Sequence, residues 1–184
     1  MRVDLRLYAL VDPKRAVGRD LAILARLVAQ GGATLVQLRD KHSDTRAMVA
    51  RARAIKTALA PLNVPLLIND RIDVALAAGA DGAHVGQEDM AVEDARRLLG
   101  PNALLGLSVK TVEQAEAAPI DLVDYVGIGE LVRHFVGLAE LAFDLDEEGH
   151  HSRLRAALRR KRQSSKYACA RQGPPARRAY RGSS

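Results

Sequence analysis

The residues best suited to chemistry stand just past the ends of short apolar runs. Leu66-Leu67-Ile68 is followed by Asn69-Asp70, and Ala83-His84-Val85 by Gln87-Glu88-Asp89. Between these runs, Ile72, Ala75, Leu76 and Gly79 recur at helical spacing. Strand, short helix and strand are therefore expected, with a carboxylate beyond each strand. In a parallel α/β fold the C-terminal ends of strands gather on one face. Asp70 and Asp89 could then share one hard cation, which prefers oxygen ligands. Each residue also has a plainer reading. Asp70 or Asp89 alone is an ordinary helix N-cap. His84, inside its strand, reads as a packed and hydrogen-bonded histidine.

The elements that would position these groups alternate along the chain. Residues 5–11 read as a buried strand ended by Asp12-Pro13, and residues 20–30 as a helix stopped by Gly31-Gly32. Residues 34–38 form a second strand, followed by Arg39-Asp40-Lys41. Ser43 or Asp44 caps a helix that Pro61 closes. A helix is expected over residues 89–99 and a strand over 103–107, ending at Ser108. Residues 111–118 open with a capping pattern, and a sixth strand runs over 122–128. Such alternation implies a parallel sheet with right-handed crossovers. No G-x-G-x-x-G opens the first helix, which argues against a dinucleotide fold. Polar residues cluster after strands two to five rather than at one switch point. The expected fold is a (β/α)8 TIM-barrel type with about six recognisable β–α units, hence incomplete.

The 184 residues suit one domain with a tail. With no Trp and 3% aromatics, the core must be built from Ala, Leu, Val and Ile. No segment has the length of a membrane span. No signal peptide is read at the N-terminus, and the lone Cys169 suits a reducing, cytoplasmic setting. The net charge of +6 is unevenly placed. Residues 1–130 carry 16 Lys and Arg against 17 Asp and Glu, whereas residues 131–184 carry 12 against 5. The body is neutral and the tail basic, so the high charge is no sign of a nucleic-acid binder. His134, His150 and His151 form no ligand pattern with Cys169. Three segments are expected: 1–129 as the barrel portion, 130–163 as a divergent, partly helical stretch, and 164–184 as a disordered basic tail.

Residues 34–41 (TLVQLRDK), 66–90 (LLINDRIDVALAAGADGAHVGQEDM), 104–111 (LLGLSVKT) and 124–129 (DYVGIG) resemble the thiamine-phosphate synthase family in order and spacing. The resemblance runs from about residue 5 to 129. It implies a (β/α)8 barrel and a transferase of thiamine biosynthesis. That family joins 4-amino-2-methyl-5-hydroxymethylpyrimidine diphosphate to hydroxyethylthiazole phosphate, giving thiamine phosphate and pyrophosphate, with Mg2+ as cofactor. It implies that Gln37, Leu38, Arg39, Asp40, Lys41, Asn69 and Ser108 hold the pyrimidine diphosphate and that Asp70 and Asp89 bind the metal. The residue types suit those roles. Arg39 offers a planar fork and Lys41 a point charge to the departing pyrophosphate, which would make both catalytic. Asn69 can present donor and acceptor to an aminopyrimidine, and Ser108 can donate to a phosphate oxygen.

After Gly129 the family pattern stops. Glu130 is followed by Leu-Val-Arg-His-Phe, where the family has a Thr-Lys loop for the thiazole phosphate. The ending is expected to come from a frameshift, a truncation or a replacement of the family's own, leaving activity impaired. An open six-stranded sheet would need covering by the tail or by a second copy, so marginal stability and homo-oligomerisation are expected. Two other functions compete: a remnant that binds pyrimidine diphosphate and Mg2+ without turnover, and a thiazole tautomerase, against which the retained pyrophosphate and metal residues argue.

Overall fold

The computed structural model describes residues 3–128 and 159–160. The readings made for the Thr-Lys loop, for 130–163 apart from residues 159 and 160, and for the tail lie outside the described residues.

Six strands, β1 (Tyr8–Val11), β2 (Leu35–Leu38), β3 (Leu66–Asn69), β4 (Gly82–Val85), β5 (Leu104–Val109) and β6 (Tyr125–Ile128), pair in sequence order, all parallel. Helices α1 (Pro13–Ala16), α2 (Leu21–Gln30), α3 (Thr45–Leu59), α4 (Ile72–Ala78), α5 (Val92–Leu99) and α6 (Val112–Ala117) supply the crossovers. Strict sequence order has a consequence. Every right-handed crossover lands on the same side, so helices cover one face and the sheet curls around the other. A doubly wound sheet would reverse order and take helices on both faces. The fold is a half-barrel of TIM type, incomplete at six β–α units, as the alternation predicts.

The two faces follow the period of two along each strand. Val11, Val36, Leu38, Leu66, Ile68, Ala83, Val85, Leu105, Leu107 and Val109 point outward into a large core shared with the helices. Leu35, Leu67, Leu104 and Tyr125 form a small inner cluster, with Val3 and Tyr8 packed on it. The outer core is the larger because small residues let the helices approach. Ala25 on α2, Ala52 on α3 and Ala95 on α5 are fully buried.

Local signals set the helix ends. Asp20 accepts from the backbone of Ala22 and Ile23, Asp44 from Ala47, and Thr111 forms a capping box with Gln114. Asp12-Pro13 does more than end a strand. Asp12 caps the four-residue α1, with Pro13 in its first turn. Pro61 lies within a short 3₁₀ turn, Ala60–Leu62, that continues α3. Helix α5 begins at Val92 rather than at residue 89, because Asp89 turns back to accept from Gly86 N at 2.7 Å.

One device recurs every two strands at the N-terminal end of the sheet. The side chain just before an even strand accepts a backbone N–H at or near the start of the strand before it. Thr34 Oγ1 accepts from Leu7 N at 3.1 Å, Asp81 from Leu66 N at 2.7 Å, and Asp124 from Leu105 N at 2.8 Å. Lys56 pairs with Asp81 at 2.6 Å and Arg96 with Asp124 at 2.9 Å, which ties α3 and α5 to the same points. These contacts fix register, and a slip of one residue would exchange the outer and inner faces.

Asp81→Ala removes the acceptor of a strand N–H together with an ion pair, and should cost about 2 kcal/mol. Arg97→Ala breaks only an exposed pair with Asp94 and should cost under about 0.5 kcal/mol. Urea denaturation of both variants checks this; equal losses would deny the register-fixing role.

Candidate active site

The strand tips at the C-terminal end bring the candidate residues together, though not all in the same way. Register places Gln37 beside Leu67, Asn69 beside His84, and Ser108 beside Gly127. Gln37, Asn69, His84 and Ser108 fall on the strand positions that face the concave side. Leu38 does not. Its side chain points outward into the helix-packed core and is 1% exposed, so only its backbone could meet a ligand.

Arg39, Asp40 and Lys41 follow β2 and diverge. Arg39 Nη1 donates to Asp12 Oδ2 at 2.9 Å, so the end of β1 aims the guanidinium. Asp40 is buried and turned toward the helix layer. Its carboxylate accepts from Arg51 at 2.6 Å and from the backbone of Ser43 and His42. Burial works against its charge, but bonds from Ser43, Arg51 and His42 outweigh that and hold it below the usual carboxylate range. Asp40 thus shapes the loop, since its oxygens are already engaged by protein donors. Lys41 reaches back across the tips, its Nζ 3.7 Å from Asp70 Oδ2.

Asp70 carries the marks of a specialised position. Its φ is +63°, a left-handed backbone uncommon outside glycine and tolerated best by Asp and Asn. Its N–H donates to His84 O at 2.8 Å, which fixes the turn between β3 and β4. It does not cap α4, whose N-cap is Arg71 without a side-chain bond; Asp89 likewise caps nothing, since α5 begins after Ala91. The plain N-cap reading therefore fails for both. Instead the two carboxyls lie within hydrogen-bonding reach of each other. Burial first, then the contact with Asp89 and its charge, push Asp70 up to about 6, with Lys41 and Arg39 pulling the other way. Two carboxylates so placed repel unless a proton or a cation lies between them. Gly86 permits this geometry, because a Cβ there would stand 2.9 Å from Asp89 Oδ2.

On the concave wall, His84 Nε2 lies 2.7 Å from Ser108 Oγ, and Nδ1 lies 2.8 Å from the Tyr125 hydroxyl. Tyr125 in turn meets the Tyr8 hydroxyl at 2.8 Å. Gln37 stands one same-face position along from Tyr8 on the neighbouring strand, with its amide acting on the Tyr8 hydroxyl. Burial lowers the His84 pKa to about 4, so the imidazole is neutral near pH 7. His84 is the packed, hydrogen-bonded histidine expected from its strand position. Gly106 makes room for it, since any Cβ there would collide with Tyr125 and His84.

Asp12, Tyr8 and Tyr125 belong to the same neighbourhood and were not legible as such. Asp12 reads as a strand terminator because its partner, Arg39, is 27 residues away. The tyrosines sit at opposite ends of the described sheet, 117 residues apart. The available signal was their alternation with apolar neighbours in strands of a chain with only four Tyr.

The oxygens of Asp70 and Asp89 suit a hard divalent cation. Among the described residues no group of three or more His, Cys, Asp or Glu could hold a metal. A two-carboxylate site fits Mg2+ better than Zn2+, because Mg2+ keeps several waters and takes phosphate oxygens as further ligands. Among the described residues no helix is long and apolar enough to cross a membrane.

The sequence pattern of the thiamine monophosphate synthase family matches residues 7–134. A thiamine-phosphate synthase of Xanthobacter autotrophicus is 51% identical over 126 residues, 68% of this chain and 60% of that protein. One from Agrobacterium fabrum is 52% identical over 128 residues, 70% of this chain and 58% of that protein. A solved thiamine phosphate pyrophosphorylase from Pyrococcus furiosus shares the fold with TM-score 0.62 at 34% identity, over 71% of this chain and 62% of that one. The chain thus spans about three fifths of the length of the curated relatives it matches. Fold and sequence agree over the described sheet: the chain belongs to the thiamine monophosphate synthase family.

Proposed function

We propose that this chain binds 4-amino-2-methyl-5-hydroxymethylpyrimidine diphosphate with Mg2+ and, as a transferase, serves its condensation with hydroxyethylthiazole phosphate to thiamine phosphate. The observation that supports this reading is that Arg39, Lys41, Asp70, Asp89 and Ser108 follow or end four successive strands, with Lys41, Arg39 and Asp89 all acting on Asp70. Cations beside a pair of carboxylates are what a metal-bound diphosphate needs.

The roles follow from position. Asp12 orients Arg39, so its fork meets phosphate oxygens with little rotamer freedom left to lose. Lys41 sits between Asp70 and the tip of β2 and balances charge on the leaving pyrophosphate. Ser108 donates to a phosphate oxygen. Asn69 and Gln37, deeper on the concave wall, supply the donors and acceptors that read an aminopyrimidine edge. Asp70 and Asp89 would hold Mg2+, which would supply further stabilisation of the negative charge on the diphosphate. No protein nucleophile is required, because the thiazole nitrogen captures the pyrimidine methylene once pyrophosphate leaves. The family's thiazole-phosphate loop falls after residue 129, where this chain departs from the pattern, so binding of the first substrate and the full condensation are separate properties. A binding-only protein is the second reading, favoured by the departure from the family's Thr-Lys pattern after Gly129.

Calorimetry with the pyrimidine diphosphate should show Mg2+-dependent binding that falls about a hundredfold in Arg39→Ala or Asp89→Asn. Thiamine phosphate formation with both substrates separates the transferase from the binding-only protein. Affinity unchanged in both variants would overturn the diphosphate assignment.

Asp70 generates a second expectation. A carboxyl titrating near 6 in the fold, against 3.8 ordinarily, contributes stability below about pH 4 that is lost as the pH rises through 6. Asp70→Asn keeps a side chain that accepts the left-handed backbone and removes the charge. Without metal at about pH 8 the variant should be more stable by about 1 kcal/mol, a figure reduced for partial exposure, with the gain vanishing near pH 4. Added Mg2+ should stabilise the wild type and leave the variant unchanged. Urea denaturation across pH decides it; a less stable variant at high pH, or equal responses to Mg2+, would remove the pair as a cation site.

A further inference from the structure

Five polar side chains from five strands run in an unbroken line across the concave wall. Gln37 on β2 stands one same-face position along from Tyr8 on β1, with its amide acting on the Tyr8 hydroxyl; Tyr8 meets Tyr125 on β6 at 2.8 Å; Tyr125 meets His84 Nδ1 on β4 at 2.8 Å; His84 Nε2 meets Ser108 on β5 at 2.7 Å. Both ends of this line are residues to which a ligand role is assigned above. The middle three have none.

We propose that Tyr8, Tyr125 and His84 form a hydrogen-bond relay that couples what Ser108 offers a phosphate to what Gln37 offers the pyrimidine ring. The inference rests on the diphosphate reading for its ligands, but the relay itself does not need it. Tyr8, Tyr125 and Ser108 each carry one hydroxyl hydrogen, and a neutral imidazole carries one N–H. With every bond made and neither tyrosine hydrogen left without an acceptor, only two arrangements exist. In the first, Gln37 donates to Tyr8, Tyr8 to Tyr125, Tyr125 to Nδ1, and Nε2–H to Ser108. The Ser108 hydrogen is then free for a phosphate oxygen, and the Gln37 carbonyl is free to accept from an exocyclic amine. In the second, Ser108 donates to Nε2, Nδ1–H to Tyr125, Tyr125 to Tyr8, and Tyr8 to the Gln37 carbonyl. Ser108 then offers a phosphate no hydrogen, and Gln37 offers a donor to the ring. Both arrangements hold the same number of hydrogens. Reversal rotates hydroxyls, flips the amide and exchanges the imidazole proton through solvent. A mixed state makes one tyrosine hydroxyl accept from both sides and leaves its own buried hydrogen without an acceptor in the line, which is costly. A diphosphate bound at Ser108 therefore selects a Gln37 that accepts from an amino group. Discrimination between amino- and oxo-pyrimidines is built into the wall in this way, with His84 as a positioning residue.

The readout is the His84 tautomer, followed by nitrogen NMR of the full chain labelled on histidine. Gln37→Glu places an acceptor at one end and forces the second arrangement, so His84 should carry its hydrogen on Nδ1. Tyr8→Phe leaves Tyr125 with only Nδ1 to donate to, so the hydrogen should sit on Nε2. Neither substitution touches His84. Opposite tautomers in the two variants support the relay; the same tautomer in both overturns it. If Gln37→Glu does not fold, Ser108→Ala replaces it, and adding Tyr8→Phe to Ser108→Ala must draw the hydrogen back toward Nε2; an unmoved tautomer overturns the relay. Inorganic pyrophosphate with Mg2+ should shift wild-type His84 to the Nε2–H form. Bound pyrophosphate with Nδ1–H overturns the coupling. Absence of binding counts against the diphosphate reading alone, and the variant pair still decides the relay.

Discussion

Six parallel strands paired in chain order leave each tip beside the next, and nearly everything else in the molecule depends on that adjacency. Parallel pairing demands a crossover between neighbours, and the handedness rule sends each crossover to the same side. One face of the sheet is therefore sealed by α2, α3, α4, α5 and α6 and filled with aliphatic side chains. Among the described residues the other face receives no helix, and it curls inward. Polar groups collect where the packing demand is weakest, and short strand-to-helix loops place charges around the rim. The register contacts made by Thr34, Asp81 and Asp124 hold this arrangement at the opposite end of the sheet.

The concave wall is a compromise between size and polarity. Tyr8, Tyr125 and His84 are large, and they fit because Gly106 contributes no side chain beside them. Gly82 serves the same end lower down, where a Cβ would press on the backbone of Leu104. Each hydroxyl and ring nitrogen in this layer has a partner, as burial requires. A fully satisfied polar layer is rigid.

The rim is held differently, by charges that do not balance in the free protein. Arg39 is oriented by Asp12, whereas Asp70 and Asp89 are pressed together with Lys41 nearby. The left-handed turn at Asp70 keeps its carboxylate at the site instead of on a helix end. Like-charge proximity is costly unless a proton or a cation lies between the two carboxyls, and the proposed cation would relieve that cost.

Sequence alone determined the alternation of elements, the apolar faces and the groups that follow each strand. These are local: helical and strand periodicities, caps at Asp20, Asp44 and Thr111, and polar residues after apolar runs are written in neighbouring positions. It also carried the family, because four segments keep their order. Tertiary structure decided which of those groups share a space. Leu38 and Asp40 are adjacent to Arg39 in sequence, yet the pleat and the pull of Arg51 turn them toward the helices. Asp12, Tyr8 and Tyr125 join the neighbourhood through contacts 27 and 117 residues apart. A side chain's type is fixed by the chain, but its partner depends on the curl of the sheet. That curl is set by the twist and pairing of all the strands at once, and no single segment encodes it.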